Sequence, residues 1–124
     1  MSMPALIAVV DDDPRILQSI EILLESDGYS VRLFTSAATL LEAPSLGEID
    51  CVISDINMPL IDGIELARLL RISRPRLPIV LITGHPELLS RSRSPIHYPL
   101  FTKPFNPNDL LATIKDVLRN TRRH

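Results

Sequence analysis

Short apolar runs alternate along this chain with longer stretches in which apolar residues recur every three or four positions. The short runs are rich in β-branched residues, which is typical of buried strands. They cover residues 5–10, 29–34, 49–55, 78–82 and 100–102. The longer stretches have the spacing of amphipathic helices. They begin near residues 14, 36, 63 and 107, with a weaker one over residues 86–90. Because strand and helix signals alternate, the pattern predicts an α/β domain with a parallel sheet of about five strands and helices on both faces.

Capping and breaking residues mark the ends of the predicted helices. Asp13 can cap the first helix, with Pro14 in its first turn, where a missing N–H costs nothing. Gly28 is placed to end that helix. A loop is expected around residues 44–47, where Pro, Ser and Gly cluster before the central apolar run.

Composition excludes several classes of protein. A chain of 124 residues is expected to form one domain, burying roughly two-thirds of its unfolded surface. The net charge of −2 and pI of about 5.9 give no electrostatic case for binding nucleic acid or membranes. The one cysteine, Cys51, cannot form a disulfide within the chain, so a reducing, cytoplasmic location is expected. Residues 1–10 lack the basic start of a targeting signal and the apolar length of a membrane span.

Polar side chains suited to phosphate or metal chemistry follow four of the apolar runs. Asp11 and Asp12 follow the first run, and Asp55 ends the central one. Thr83 follows the fourth run and Lys103 follows the last. In an open parallel α/β sheet the carboxyl ends of the strands meet at one edge, where ligands bind. The pattern therefore predicts that these side chains gather into one site.

The gathered residue types favour phosphoryl chemistry. Carboxylates at Asp11, Asp12 and Asp55 would repel one another unless a divalent cation neutralised them. Oxygen ligands with open positions for water and a phosphoryl oxygen suit Mg²⁺. Asp55 could then act as a carboxylate nucleophile, while Lys103 and the Thr83 hydroxyl bond phosphoryl oxygens. An acyl phosphate on Asp55 would add charge and acceptor oxygens, enough to pull Thr83 and its loop inward.

Four motifs give the chain a family resemblance. They are VVDDD at residues 9–13, DINMPLIDG at 55–63, ITG at 82–84 and KPF at 103–105. Together they resemble the receiver domain of two-component response regulators, and the run LITGH that contains the third motif is most similar to the FixJ type. The resemblance implies a flavodoxin-like, doubly wound fold with strand order 2-1-3-4-5. It also implies Mg²⁺-dependent phosphorylation by a histidine kinase or a histidine phosphotransfer protein, and no enzyme activity beyond the domain's own phosphorylation and dephosphorylation.

The resemblance assigns roles to the polar positions of the predicted site. Asp55 is similar to the phosphoacceptor and Thr83 to the switch hydroxyl. Lys103 is similar to the phosphate-binding lysine, which precedes a proline that family members often hold in cis. Asn57 and His85 match positions that tune dephosphorylation in the family.

The resemblance also implies a set of metal ligands. Asp12 and Asp55 would bind Mg²⁺ directly, Asp11 would bind it through a water molecule, and Asn57 would contribute its backbone carbonyl. Asp13 is expected to be a helix cap rather than a ligand.

The stretch before the last strand departs from the family pattern. Residues 89–99 contain two prolines and alternating Ser and Arg, which make a poor helix. We therefore expect the fourth helix of the family to be truncated or replaced by a loop. Leu100 takes the position of the family's aromatic switch residue and Phe101 comes one place later. This puts a coupling between an aromatic rotamer and Thr83 in question.

The departure affects the expected partners. An effector or output domain would bind the face from Glu87 to Pro99, where Arg91 and Arg93 could form a basic patch for an acidic partner or belong to a solvated loop. A phosphorylation-dependent homodimer is also compatible with the resemblance. A basic cluster at the C-terminus suits the end of a helix better than a nucleic-acid contact. Its members are Arg119, Arg122, Arg123 and His124.

Two function classes stay open at this point. One is a phosphorylation-dependent switch, and the other is a constitutive interaction module that keeps the receiver fold and binds without phosphorylation. A hydrolase of the haloacid dehalogenase type is disfavoured, because its pair of aspartates, two positions apart after the first strand, would be followed by a Thr or Val, and it would normally carry an extra cap domain. We expect one receiver domain over residues 1–124 and no output domain in this chain. A single-domain regulator and a receiver from a longer protein both fit.

Overall fold

The computed structural model describes residues 3–91 and 96–122, and its strands and helices alternate as predicted. The strands are β1 (Leu6–Val10), β2 (Ser30–Phe34), β3 (Cys51–Asp55), β4 (Ile79–Thr83) and β5 (Leu100–Thr102). The helices are α1 (Pro14–Ser26), α2 (Ala37–Leu41), α3 (Gly63–Ser73) and α4 (Pro107–Arg122). Short 3-10 helices cover Pro44–Glu48 and Pro86–Arg91.

In the described ranges the strands form one parallel five-stranded sheet in the order β2-β1-β3-β4-β5. This order confirms the predicted flavodoxin-like, doubly wound architecture. In such a sheet ligands bind where the strand order reverses, which is at the carboxyl ends of β1 and β3. The register sets Val10 opposite Ser54. The residues that follow them, Asp11 and Asp55, therefore leave the sheet side by side.

A hydrophobic core lies on each face of the sheet. Leu24 of α1 and Leu110 of α4 belong to the core on one face, together with Ile53 of β3. Leu40 of α2 and Leu66 of α3 belong to the core on the other face. Because β3 and β4 are buried on both faces, their sequences are continuous apolar runs rather than alternating ones. Each large apolar side chain that is fully buried contributes about 1.5–3 kcal/mol, so these cores stabilise the sheet that carries the site.

Local signals set the helix ends as predicted. Asp13 Oδ1 accepts a hydrogen bond from the N–H of Arg15 at 2.9 Å, which confirms Asp13 as the cap of α1. Gly28 follows the end of α1 with a φ of +91°, a conformation that strains residues with a side chain. Asp62 caps α3 in the same way as Asp13 caps α1, accepting the N–H of Glu65 at 2.8 Å.

The segment over residues 44–47, predicted as a loop, is instead part of a 3-10 helix, Pro44–Glu48. A guanidinium group from the end of α3 holds this segment in place. Nη1 of Arg74 donates to the carbonyl oxygen of Leu46 at 2.8 Å and to that of Ile49 at 2.5 Å. The prediction was wrong because the anchoring residue lies at least 25 positions further along the chain.

The predicted truncation of the fourth family helix is confirmed as far as the structure describes that region. The short 3-10 helix Pro86–Arg91 occupies the position of the longer family helix. Arg93 and the side chain of Arg91, proposed as a basic patch, lie outside the described residues, as do Arg123 and His124. Across residues 3–91 and 96–122 no helix combines the length and the apolar character that a bilayer crossing requires.

Candidate functional site

Three carboxylates meet at the carboxyl edge of the sheet, beyond β1 and β3. One carboxylate oxygen from each of Asp11, Asp12 and Asp55 lies within 4.8 Å of the other two. Asp11 and Asp55 are buried, whereas Asp12 is exposed. The cluster is therefore held inside the protein on one side and reaches solvent through Asp12.

Lys103 reaches this cluster from the loop after β5. Its Nζ lies 3.1 Å from Oδ2 of Asp11 and 3.6 Å from Oδ1 of Asp55. The peptide bond between Lys103 and Pro104 is cis. One ammonium group thus faces two buried carboxylates, and its single charge cannot neutralise both.

Asp55 is left in surroundings that disfavour its charge. Burial raises the pKa of its carboxyl group, and the nearby charge of Asp11 raises that pKa further. Lys103 and the backbone N–H of Asn57 oppose this rise. Among the residues described, none donates a hydrogen bond to Oδ1 of Asp55, although this atom is buried. A buried carboxylate oxygen without a donor is unfavourable, and a bound cation or phosphoryl group would correct the deficit.

The donor set at this edge fits Mg²⁺. Carboxylate oxygens are ligands that Mg²⁺ prefers, and those of Asp11, Asp12 and Asp55 are close enough to surround one small cation. Asn57 lies two residues after Asp55, on the loop that leaves the same edge. Asp13 has another role, because its carboxylate caps α1 and its N–H donates to Oδ1 of Asp11 at 2.9 Å.

The loop after β3 turns back tightly against the end of the strand. The N–H of Gly63 donates to the carbonyl oxygen of Ile56 at 2.9 Å. A Cβ atom at position 63 would press on the carbonyl oxygen of Asp55 and lie 2.8 Å from the Cα of Ile56. Only glycine allows this close approach, which packs the start of α3 against the backbone that carries Asp55.

Leu60 takes a strained conformation in the same loop. Its φ is +70°, and the N–H of Ile61 donates to the carbonyl oxygen of Pro59 at 2.9 Å. The positive φ and this hydrogen bond define a γ-turn centred on Leu60. The Leu60 side chain is fully exposed, at 105% of its reference area. Nothing in the sequence indicated that a leucine would take the positive φ.

Thr83 ends β4 with a buried hydroxyl group that makes two hydrogen bonds. Its Oγ1 donates to Oδ1 of Asn57 at 2.8 Å and accepts the N–H of His85 at 3.0 Å. The imidazole of His85 is exposed, with Nδ1 3.2 Å from Oε1 of Glu87. Sequence reasoning named Thr83, Asn57 and His85 but missed the contact between the first two, which are 26 positions apart.

Leu100 and Phe101 face opposite sides of the sheet. Leu100 pairs with Leu81 and Phe101 pairs with Ile82, so Phe101 points away from the face that carries the Thr83 side chain. The ring of Phe101 instead meets the ring of Phe105 edge to face, with centroids 6.3 Å apart. Leu100 is 39% exposed at the position of the family's aromatic residue. Phe101 therefore does not take over that position.

Comparison with known proteins agrees with this fold. Residues 7–115 match the response regulator receiver domain, and the chain belongs to that family. It is 35% identical over 115 residues to the transcriptional regulatory protein FixJ of Bradyrhizobium diazoefficiens, which covers 91% of this chain and 56% of that protein. It is 31% identical over 117 residues to the response regulator protein TodT of Pseudomonas putida, covering 93% of this chain and 52% of TodT. The chain thus spans about half the length of these relatives, and the resemblance to FixJ-type receivers is confirmed.

Solved structures show the same architecture. The signal receiver domain of an HD domain-containing protein from Pseudomonas fluorescens Pf-5 superimposes with a TM-score of 0.85 at 25% identity, covering 98% of this chain and 99% of that one. The response regulator TrrA from Thermotoga maritima, in complex with Mg²⁺ and BeF, superimposes with a TM-score of 0.81 at 30% identity, covering 91% and 98%. As a receiver, the chain is a signalling domain of a two-component system.

Proposed function

We propose that this receiver is a switch that accepts one phosphoryl group on Asp55 in a Mg²⁺-dependent reaction. The observation that carries the proposal is the state of Oδ1 of Asp55. This atom is buried, receives no hydrogen bond from any described residue and lies 3.6 Å from Nζ of Lys103. A carboxylate oxygen with a free lone pair beside a fixed cation is suited to attack a phosphorus atom.

The proposed donor is a phosphohistidine on a histidine kinase or a histidine phosphotransfer protein. A lone pair of Oδ1 of Asp55 forms the new O–P bond while the P–N bond to the donor imidazole breaks, and the imidazole nitrogen keeps that electron pair. Lys103 pairs with a phosphoryl oxygen as a point charge. The acyl phosphate carries more negative charge than the carboxylate did, and it offers acceptor oxygens to Thr83.

The proposed metal ligands are Asp12 and Asp55 directly, Asp11 through water, and the backbone carbonyl of Asn57. When bound, Mg²⁺ would cancel charge on the incoming phosphoryl group. The protein prepares this arrangement by orienting Asp11. Its Oδ1 accepts the N–H of Asp13 at 2.9 Å and its Oδ2 meets Lys103, so the carboxylate is held between a loop and a lysine.

A concave, largely apolar surface beside Lys103 supports a protein as donor. Helix α1 and the loop after β5 line this surface, and Gly84 and Lys103 connect it to the acidic cluster. Ile22 at its outer part is 61% exposed. A partner that covered this surface would bury apolar area while its histidine approached Asp55. The apolar lining residues are Ile16, Ile20, Ile22, Leu23, Pro104, Phe105 and Pro107.

We place the output surface of the switch at the face from Glu87 to Pro99. An effector, an output domain or a second copy of the chain would bind there. Leu88 on the 3-10 helix is exposed there. A cavity of about 250 Å³ lies nearby, between α3 and residues 96–98, with Leu81 in its lining. Leu88 and the apolar part of this cavity would offer contacts to the bound partner. We expect signalling in the cytoplasm by a single receiver domain over residues 1–124.

The proposal is tested by the intact mass of the protein after incubation with a small phosphodonor, with and without Mg²⁺. We expect a gain of one phosphoryl group that requires Mg²⁺ and is lost in Asp55→Asn. Asp116→Asn is the matched control, because Asp116 is an exposed aspartate on α4. Retention of the phosphoryl group by Asp55→Asn would contradict the assignment of the phosphoacceptor. No gain in a folded protein that binds Mg²⁺ would point to a constitutive interaction module.

A further inference from the structure

The hydroxyl group of Thr83 is fully engaged before any phosphoryl group is present. It donates its hydrogen to Oδ1 of Asn57 at 2.8 Å and accepts the N–H of His85 at 3.0 Å. The Thr83 side chain is completely buried, so water does not compete for these bonds. A buried hydroxyl that makes both bonds is held in one orientation.

Oδ1 of Asp55 is in the opposite situation, because within the described chain it has no donor although it is buried. The hydroxyl hydrogen of Thr83 is bound to Asn57 instead. One hydroxyl group has one hydrogen to donate. If Thr83 is to bond an oxygen of a phosphoryl group on Asp55, it must first give up its bond to Asn57.

We propose that the side-chain carbonyl of Asn57 is a positioning group that restrains Thr83 in the unphosphorylated protein and so opposes the switch. This inference rests on the proposed phosphorylation of Asp55. Asn57 competes with the phosphoryl oxygens for the same hydrogen, and the free energy of its bond is subtracted from that of the new bond. Removing Oδ1 of Asn57 therefore favours the switched state.

The location of Asn57 extends its influence. It lies two residues after Asp55 on the loop that Gly63 holds tightly against β3. Its side chain therefore bridges the loop after β3 to the end of β4, two segments that border the acidic cluster. A bond in this place links the position of the β4 end to the loop that carries the phosphoacceptor.

The test is a double-mutant cycle that uses beryllofluoride with Mg²⁺ as the phosphoryl mimic. Binding is measured by titration for the wild type, Asn57→Ala, Thr83→Val and the double variant. We expect Asn57→Ala to tighten binding about 2- to 10-fold when Thr83 is present, which is the range given by one hydrogen bond of ordinary net strength. In the Thr83→Val background, where the hydroxyl is already gone, the same substitution should change the affinity less than 2-fold.

An equal effect of Asn57→Ala in both backgrounds would overturn the proposal, because Asn57 would then act independently of the Thr83 hydroxyl. No tightening in the Thr83 background would overturn it as well. Failure of the proposed function looks different. In that case beryllofluoride would not bind the wild type, or would bind Asp55→Asn equally well.

The amide resonance of His85 provides a second readout. If Asn57 had only a general structural role, its removal would not shift this resonance in a particular direction. This N–H donates to Oγ1 of Thr83, so its chemical shift reports where the hydroxyl lies. In Asn57→Ala without ligand, we expect the resonance to move towards its position in the beryllofluoride-bound wild type. Thr83→Ser keeps the hydroxyl and should keep the response to Asn57→Ala. A shift in the opposite direction, or none, would count against the restraint.

Discussion

The ammonium group of Lys103 lies closer to Asp11, at 3.1 Å, than to the carboxylate that its family role concerns. The two residues are 92 positions apart in the chain, and Asp11 is buried. In this structure Lys103 lies close enough to both carboxylates to act on each, but its shorter contact is with Asp11. Lys103 lowers the pKa of Asp55, but burial of the carboxyl group and the nearby charge of Asp11 together raise that pKa by more.

Lys103→Ala should destabilise the metal-free protein by about 1–3 kcal/mol, because it leaves the buried Asp11 carboxylate without its cation. The measurement is urea denaturation at pH 7 in the presence of a chelator. Mg²⁺ should restore more stability to this variant than to the wild type, and any phosphorylation that remains should no longer change the structure. The matched control is Lys115→Ala, since Lys115 is exposed on α4. Equal stability of the two variants would contradict the role given to Lys103.

Asp55→Asn should make the metal-free protein more stable at neutral pH. The folded state raises the pKa of Asp55 above its usual value of 3.8, so it binds this proton more readily than the unfolded state does. Ionisation of Asp55 therefore lowers the stability of the wild type as the pH rises from 3.8 through the raised pKa. The advantage of Asp55→Asn should grow over that interval, level off above it and vanish below pH 3.8.

The same series of stability measurements against pH includes a control variant, Asp13→Asn, for which the expected change in stability has the opposite sign. Hydrogen bonds from the side chain and backbone of Arg15 lower the pKa of the partly exposed Asp13 carboxyl group. Ionisation of Asp13 therefore adds stability above pH 3.8, which is lost as the pH falls through the lowered pKa. Asp13→Asn should show a small loss at neutral pH and none in acid. Parallel pH profiles for Asp55→Asn and Asp13→Asn would contradict the electrostatic account of the site.

Leu60→Gly should stabilise the protein by about 0.5–1 kcal/mol, because a positive φ strains leucine by about 1–2 kcal/mol while glycine loses more chain entropy on folding. Leu60→Ala should give no such gain, since alanine shares the strain and the leucine side chain is already exposed. Ile72→Gly provides the contrast, because this residue is 72% exposed but helical. Glycine there should be destabilising. The measurement is urea denaturation of the three variants. If Leu60→Ala gained as much stability as Leu60→Gly, the backbone of Leu60 would not be strained.

Gly63→Ala should destabilise the fold by about 1–3 kcal/mol, because the new methyl group presses on the backbone at Asp55 and Ile56. The displaced backbone carries Asp55, the proposed phosphoacceptor, so phosphorylation by a small donor should also slow. Gly47→Ala is the matched control, since a Cβ atom there would meet no described atom within 4 Å. That variant should be close to neutral. Similar losses in both variants would show that the effect comes from glycine replacement in general.

The strands and the polar residue at each strand end could be predicted because they depend on local information. Apolar runs rich in β-branched residues, such as residues 49–55, are typical of a buried strand, and Asp13 and Gly28 encode the two ends of α1 in single residues. If the strands are parallel, they share one direction, and their carboxyl ends bring Asp11 and Asp55 to the same edge of the sheet. The family resemblance added the strand order and the roles of the polar residues, and the comparisons confirmed the family.

The contacts between residues far apart in the chain were decided only by the tertiary structure. Lys103 turns first to Asp11, Thr83 bonds to Asn57, and Arg74 orders a 3-10 helix where a loop was predicted. Each of these contacts joins residues at least 25 positions apart. Sequence periodicity specifies which face of an element a residue occupies, but hydrogen bonds between polar groups that are far apart in the chain depend on how the loops pack together.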